Sequence, residues 1–307
     1  MNKWMTVLIA GIIAFSSFQI VGNVGAADKS NVAVLVDGRK VKFQGGDPVM
    51  ENNRVQVPLR GVGEALDAEV DFRGKTVTYV KGSKSIVLTL GSKAALVDGQ
   101  NVMMDTAAKA VKGRTYVPLR FVSENLGETV EWDKVGGWVW IGARNIPSTD
   151  DEQFKLIPLS EFKEYTQTID IFKNTKNEIF SYIKIVKFSD LPIQLGDQQI
   201  IYSIDLVQSR GKDYIQIRSS VRNTPISFLV KNSFARGRHG LNRAFVNNGD
   251  KTGMSLYPVV SNSDKFQNGK YIENYEGWMN FKIKQADYIL IRNGDVNYAL
   301  AIENPFK

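Results

Sequence analysis

Apolar residues change period twice over in the first half of the chain. Val32, Val34 and Val36 recur at every second position, as in a strand with one buried face, and lead into Asp37-Gly38, a pair suited to a hairpin turn. Arg54-Val55-Gln56-Val57 follows, short and rich in strand formers. At Pro58 the period changes: Leu59, Val62 and Leu66 fall at helical spacing behind a proline suited to a first helical turn. Val70 with Phe72, and Val77 with Tyr79, predict two closing strands. About sixty positions on, the order repeats. Ala94 and Leu96 lead into Asp98-Gly99, Arg114-Thr115-Tyr116-Val117 precedes Pro118, and Leu119, Val122 and Leu126 restore the helical spacing. Val130, Trp132, Trp138 and Trp140 then stand for the closing strands, with Trp132 in the place of Phe72 and Trp140 in that of Tyr79. Gly127 suits a left-handed helix end, and Asp67 holds the corresponding place in the first copy.

One unit used twice is therefore expected, and neither unit could bury much surface alone. The repeated residues are apolar, Gly, Pro and Arg, which build a scaffold and not a reaction centre. The doubled Val-Pro-Leu-Arg at 57–60 and 117–120, with Gly113-Arg114-Thr115-Tyr116, Leu126-Gly127 and Val130-Glu131-Trp132-Asp133, resembles the copper amine oxidase-like N-terminal domain, also called the stalk domain. The likeness covers residues 32–143 and departs from the pattern at Asn53, where Gly is usual, and at Asp67. It implies an α+β module of antiparallel strands packed on short helices, standing apart from the oxidase catalytic domain and holding neither copper nor quinone. It also implies a secreted protein of a Gram-positive, endospore-forming bacterium.

The second half follows a different pattern. Residues 144–152 are polar, with one proline and an acidic run, and read as a linker. Residues 153–307 form the second domain. A helix is expected from Ser160 to Thr168, with Ser160 as its cap. Short β-rich runs then follow at 200–206, 214–218, 226–230, 278–283, 288–291 and 298–302, separated by turns such as Arg210-Gly211. Their spacing predicts a mostly-β domain, sandwich or barrel, and no family resemblance is carried by it.

Residues 1–27 read as a signal peptide: Lys3 is their one charge, an apolar run follows, and Ala26-Ala27 offers the small side chains of a cleavage site. The mature chain of residues 28–307 would be secreted or associated with the cell wall; the alternative is a membrane tether formed by an uncleaved N-terminal segment. Cysteine is absent, so disulfides and a lipidated cysteine are excluded. Hydrophobic residues at 43% and charged residues at 23% describe an ordinary packed core. Losing Lys3 lowers the formal charge from +7 to +6, a surplus that favours anionic partners. Outside a cell these would be anionic wall polymers or other envelope components; no nucleic acid is expected as physiological partner.

The sharpest charge feature lies between Asp213 and Asp250, where no acid interrupts a run of cations. Lys231, Arg236, Arg238, His239 and Arg243 are the candidate anion-binding residues, on a segment expected to be a glycine-interrupted loop. The plainer reading is a solvated loop whose cations pair with acids from elsewhere. Trp132, Trp138 and Trp140 are either a sugar-stacking platform or packing residues. Asn274-Tyr275-Glu276 matches the short tyrosine signature of the oxidases, but copper needs several imidazoles and His239 is the one histidine, so amine oxidase activity is rejected. No catalytic residue, metal ligand or cofactor is expected. Three readings stand: a non-catalytic envelope protein whose stalk or docking module presents a ligand-binding β-domain; a secreted hydrolase acting on glycan or wall through paired carboxylates; and a self-assembling envelope component associating through strand edges.

Overall fold

The computed structural model describes residues 32–44, 46–174, 176–197, 199–221, 224–241, 246–247, 251–267, 270–271, 276–292 and 296–307. The expected signal segment, Arg243 and Tyr275 lie outside the described residues. The fold is mostly β with few helices. Among the described residues no helix is long and apolar enough to cross a membrane.

Three sheets make up the first domain. Arg54–Pro58 and Arg114–Pro118 lie antiparallel at the centre of one, flanked by Val49–Glu51 and Lys109–Val111. The central register sets Val57 opposite Val117, the matching residues of the two sequence copies. A second sheet is a five-stranded antiparallel meander from Glu69–Arg73 to Gln100–Met103. The third orders Val130–Asp133, Trp138–Ile141, Ala33–Val36 and Arg39–Lys40, and its central pair is parallel, where an all-antiparallel domain was expected.

Two short helices, α1 (Leu59–Ala65) and α2 (Leu119–Asn125), begin directly after the two prolines. Each presses leucine and valine into a shared core containing Val62, Leu66, Tyr79, Val122, Leu126 and Ile141. Both helices end alike. Ala68 N–H returns to the Gly63 carbonyl and Glu128 N–H to that of Ser123, with Asp67 (φ +55°) and Gly127 (φ +98°) in the left-handed position between. At the hairpin tip, Asn52 and Asn53 both take positive φ, as a two-residue turn of this twist requires; Asn enters that region more readily than most residues, so the missing Gly is accommodated.

The second domain contains two sheets around one core. Five antiparallel strands, including the long hairpin Gln199–Ser209 and Lys212–Ser219, face six strands in which Tyr182–Val186 and Tyr298–Glu303 run parallel. Ile201, Ile204 and Ile215 from the first sheet meet Phe228, Ile289 and Leu300 from the second. On its other face the six-stranded sheet carries Ile183, Leu229, Leu290 and Ala301, covered by Leu159–Phe172. That cover is 3-10 and not the expected α-helix, with non-helical breaks at Phe162 and Thr168; Pro158 and not Ser160 occupies its N-cap, without a side-chain cap bond.

Residues 278–283, expected as a strand, fall in the 3-10 turns Glu276–Asn280 and Ile283–Gln285. Phe281 and Ile283 do enter the core at alternate positions. The Gln285 side chain accepts the Lys282 N–H at 2.7 Å, closing a turn where a ladder would otherwise continue.

Residues 144–152 are docked along the second domain. Gln194 N–H donates to the Pro147 carbonyl and Thr149 N–H to that of Gln194, each at 2.8 Å. Thr149 is fully buried, its hydroxyl 2.6 Å from that of Tyr298, and Lys184 donates to its carbonyl. The polarity that reads as a free linker is spent on these bonds.

Candidate functional site

Of the candidate anion-binding residues, Arg236 and Arg238 come together, and they do so on an internal carboxylate. Arg236–Arg238 is an edge strand pairing with Ile226–Leu229, not a loop. Strand alternation places Arg236 and Arg238 on the same face, and both reach Asp264. Arg238 makes two bonds to that carboxylate, at 2.7 and 2.8 Å, and three more to the carbonyls of Pro258, Val259 and Gly237. Burial pushes its guanidinium below the usual value and Asp264 opposes that shift. Arg236 lies 3.1 Å from Asp264 and 4.3 Å over the Phe281 ring. Arg238 and Asp264 are each 1% exposed at the side chain, so their charges are committed to the fold.

The remaining members do not converge with them. Lys231 is exposed and paired with Glu164 at 2.9 Å, which raises its ammonium above the ordinary value. His239 is exposed, and Arg243 lies outside the described residues. Arg236, Arg238 and Lys231 are thus answered by acids from elsewhere in the chain, the first two on a strand and not on the solvated loop of the plainer reading.

The three tryptophans separate. Trp138 and Trp140 project from one face of their strand with Leu35, against Ile146 and Tyr202, and form the seam between the domains. Their neighbours Val139 and Ile141 project from the other face into the first-domain core. The strand is therefore buried on both sides, which is why Trp138–Ile141 has no exposed residue. Lys40 stands 4.9 Å over the Trp138 ring on the first-domain side, and Arg218 of the second domain lies 5.8 Å from it. Arg218 also bonds Asp133 at 2.6 Å and Thr252 at 3.1 Å. Gly136 permits this, since a Cβ there would stand 2.7 Å from the guanidinium.

Trp132 points elsewhere. It shares a sheet face with Val130 and pairs with Val139, and these three line a cleft of about 580 Å³ in the first domain. Helix α2 contributes Leu119, Arg120, Phe121 and Glu124 to the lining. Another part of it comes from the hairpin residues Met50 and Asn53–Val55, and Met103 and Asp105 complete it. Met103 is 72% exposed and Trp132 37%. Both arginines of the lining are paired: Arg54 with Asp105, and Arg120 with Glu124 at 3.7 Å. The volume falls within the range of about 300–1,000 Å³ usual for small-molecule sites.

The first sequence copy carries Gly61 where the second has Phe121, and the Phe43 ring lies so close over Gly61 that any Cβ would collide with it. An aromatic side chain thus packs against the helix start that, in the second copy, borders the cleft. Trp132 was identified in the sequence only as one of three tryptophans. Met103 gave no signal and Arg54 and Arg120 stood out only as part of the repeat, because the lining comes from separate segments that the fold brings together.

The domain that contains the cleft matches a known family. Residues 35–141 match the copper amine oxidase N-terminal domain. That domain is the non-catalytic part of the amine oxidases, and the match spans about a third of the chain. No curated protein matches the chain. Among the described residues no cluster of three or more His, Cys, Asp or Glu side chains is placed to hold a metal ion.

Proposed function

We propose that this protein is an exported, non-catalytic binding protein of the cell envelope, in which the copper amine oxidase N-terminal domain carries the ligand site. The observation that carries the proposal is the cleft at Trp132: a concave space of about 580 Å³ in which the exposed Trp132 and Met103 lie beside two arginines and two carboxylates. Val57 pairs with Val117 across the two repeats, and the position that Phe43 covers in the first copy, Gly61, is matched in the second by Phe121 at the edge of the cleft. The second domain, locked to the first through Trp138, Trp140 and Arg218, acts as a rigid support. This reverses the division of labour suggested by the charge pattern, because Arg236 and Arg238 answer Asp264 and leave little for an external anion.

The hydrolase alternative would place its carboxylates in the same cleft, as Asp105 and Glu124. Both are exposed and ion-paired with arginine, whereas a glycosidase acid is kept protonated by an apolar surrounding. Binding without turnover is the better fit.

The mature chain, residues 28–307, should sediment with purified cell walls and be released when Trp132 and Met103 are both replaced by alanine. Both side chains are exposed, so the variant should keep its circular dichroism and melting curve. Undiminished sedimentation of that folded variant would remove the cleft as the ligand site.

A further inference from the structure

We propose that the ligand of the Trp132 cleft is an uncharged saccharide chain, held by ring stacking and hydroxyl contacts and not by ionic attraction; this rests on the reading of the cleft as the ligand site.

Charge balance is the first reason. The lining holds two arginines and two carboxylates, and each arginine already has its acid, Arg54 with Asp105 and Arg120 with Glu124. An anionic ligand would meet a carboxylate beside each arginine, and a cationic one a guanidinium beside each carboxylate. A hydroxyl has no such difficulty. It donates and accepts at once, so it can bridge a guanidinium and the carboxylate beside it without breaking the pair.

Shape gives the second reason. A pyranose ring has an apolar C–H face and a polar rim of hydroxyls. The cleft has the complementary division, with Trp132, Val130 and Met103 offering apolar surface and the planar groups of Arg54, Asp105, Arg120 and Glu124 beside it. An exposed indole gives a large rigid contact at low entropic cost. A purely apolar ligand would strand those charged groups, and a long anionic polymer would find no net positive potential here.

The competing occupant is an extended peptide. Val49–Glu51, which carries Met50, is the edge strand of its sheet and could accept another strand. A peptide would be read through backbone amides of residues 49–51, whereas a saccharide would be read through the side chains of Trp132 and Met103.

The test titrates the mature chain with chitotetraose, and with wall glycan stripped of peptide and of phosphate polymers, while following the methyl resonances of Met50 and Met103. The expected result is saturable movement of both methyls, unchanged between about 0.05 and 0.5 M salt. Trp132→Ala should weaken binding about tenfold or more. Phe72→Ala, at the matching exposed position of the first copy, should leave binding as it is. Movement of the 49–51 amides with an extended peptide, and none of the methyls with either glycan, overturns the saccharide assignment and leaves the cleft as a binding site. Binding of glycan that is unaffected by Trp132→Ala also overturns it. Loss of wall sedimentation in the Trp132 and Met103 double variant, with no response to glycan, would sink the inference while the reading of the cleft stands.

Discussion

Arg218 of the second domain and Asp133 of the first meet at 2.6 Å, with side chains 2% and 8% exposed. Breaking one partner of a buried pair leaves the other charge stranded, at a cost of about 3–5 kcal/mol. Arg218→Ala should therefore destabilise the protein by about that much. It should also loosen the seam, because the same guanidinium lies 4.9 Å from Tyr202 and 5.8 Å from Trp138. Calorimetry should then resolve two unfolding transitions where the parent shows one, and residues 144–152 should become cleavable by a protease. A double change, Arg218→Met with Asp133→Leu, should recover most of the loss, since no charge is left unpaired.

The same pair sets a pH dependence. Burial alone would raise the Asp133 carboxyl, but the Arg218 hydrogen bond, the N–H groups of Gly136 and Val135, and the Arg218 charge together hold it below its ordinary value of 3.8. Asp287 is likewise lowered, its burial outweighed by Lys307 and the Lys231 N–H. A carboxyl lowered in the folded state binds its proton more readily when unfolded. Its contribution is fully present above the unfolded value and is lost as pH falls through the folded one. Stability should thus be level near neutrality and fall below about pH 4. Asp133→Asn, measured by denaturant unfolding at several pH values, should flatten part of that decline.

How far these features could be read from sequence depends on what each residue needed to know. The hairpin tips, the prolines opening α1 and α2, and the left-handed ends at Asp67 and Gly127 are local, and the chain declares them locally. The register of the last strand is not. Val77 faces Phe72 and Tyr79 faces Val70, whereas Val139 faces Trp132 and Ile141 faces Val130. The turn at 134–137 is two residues longer than that at 74–75, so Tyr79 corresponds to Ile141 and not to Trp140. A one-residue slip moves a side chain to the opposite face. Hence Trp140 lies in the seam, where an aligned sequence would have placed it in the first-domain core. Charge was the other blind point. The run from Lys231 to Arg243 contains no acid, but Asp264, which answers it, lies twenty-six residues beyond Arg238 and is brought back by a separate 3-10 turn.

That pairing gives a prediction opposite to a surface anion site. Arg238→Ala removes five hydrogen bonds and leaves the buried Asp264 with Arg236 as its remaining cation, so a loss of about 3 kcal/mol, the lower end for breaking a buried pair, is expected. Lys231→Ala, on an exposed ammonium paired with Glu164, should leave the unfolding midpoint where it is. Wall retention should be unchanged in the Lys231 variant. Equal, small effects of the two substitutions in a urea titration would show that Arg238 is not buried with Asp264.

The two helix ends provide a matched comparison within one molecule. Asp67 and Gly127 hold the same left-handed position after α1 and α2, but Asp67 carries a Cβ there. Asp67→Gly should stabilise by a fraction of a kcal/mol, relief of backbone strain being partly offset by the greater freedom of Gly in the unfolded chain. Gly127→Ala should cost about 1–2 kcal/mol. A Cβ at 127 would also press on the Lys84 side chain, whose flexible end can move aside, so the backbone term should dominate. Because α2 borders the cleft with Arg120, Phe121 and Glu124, fraying its end should also disturb that wall. Glycan affinity should therefore fall in Gly127→Ala and stay unchanged in Asp67→Gly, which a paired titration of the two variants would resolve.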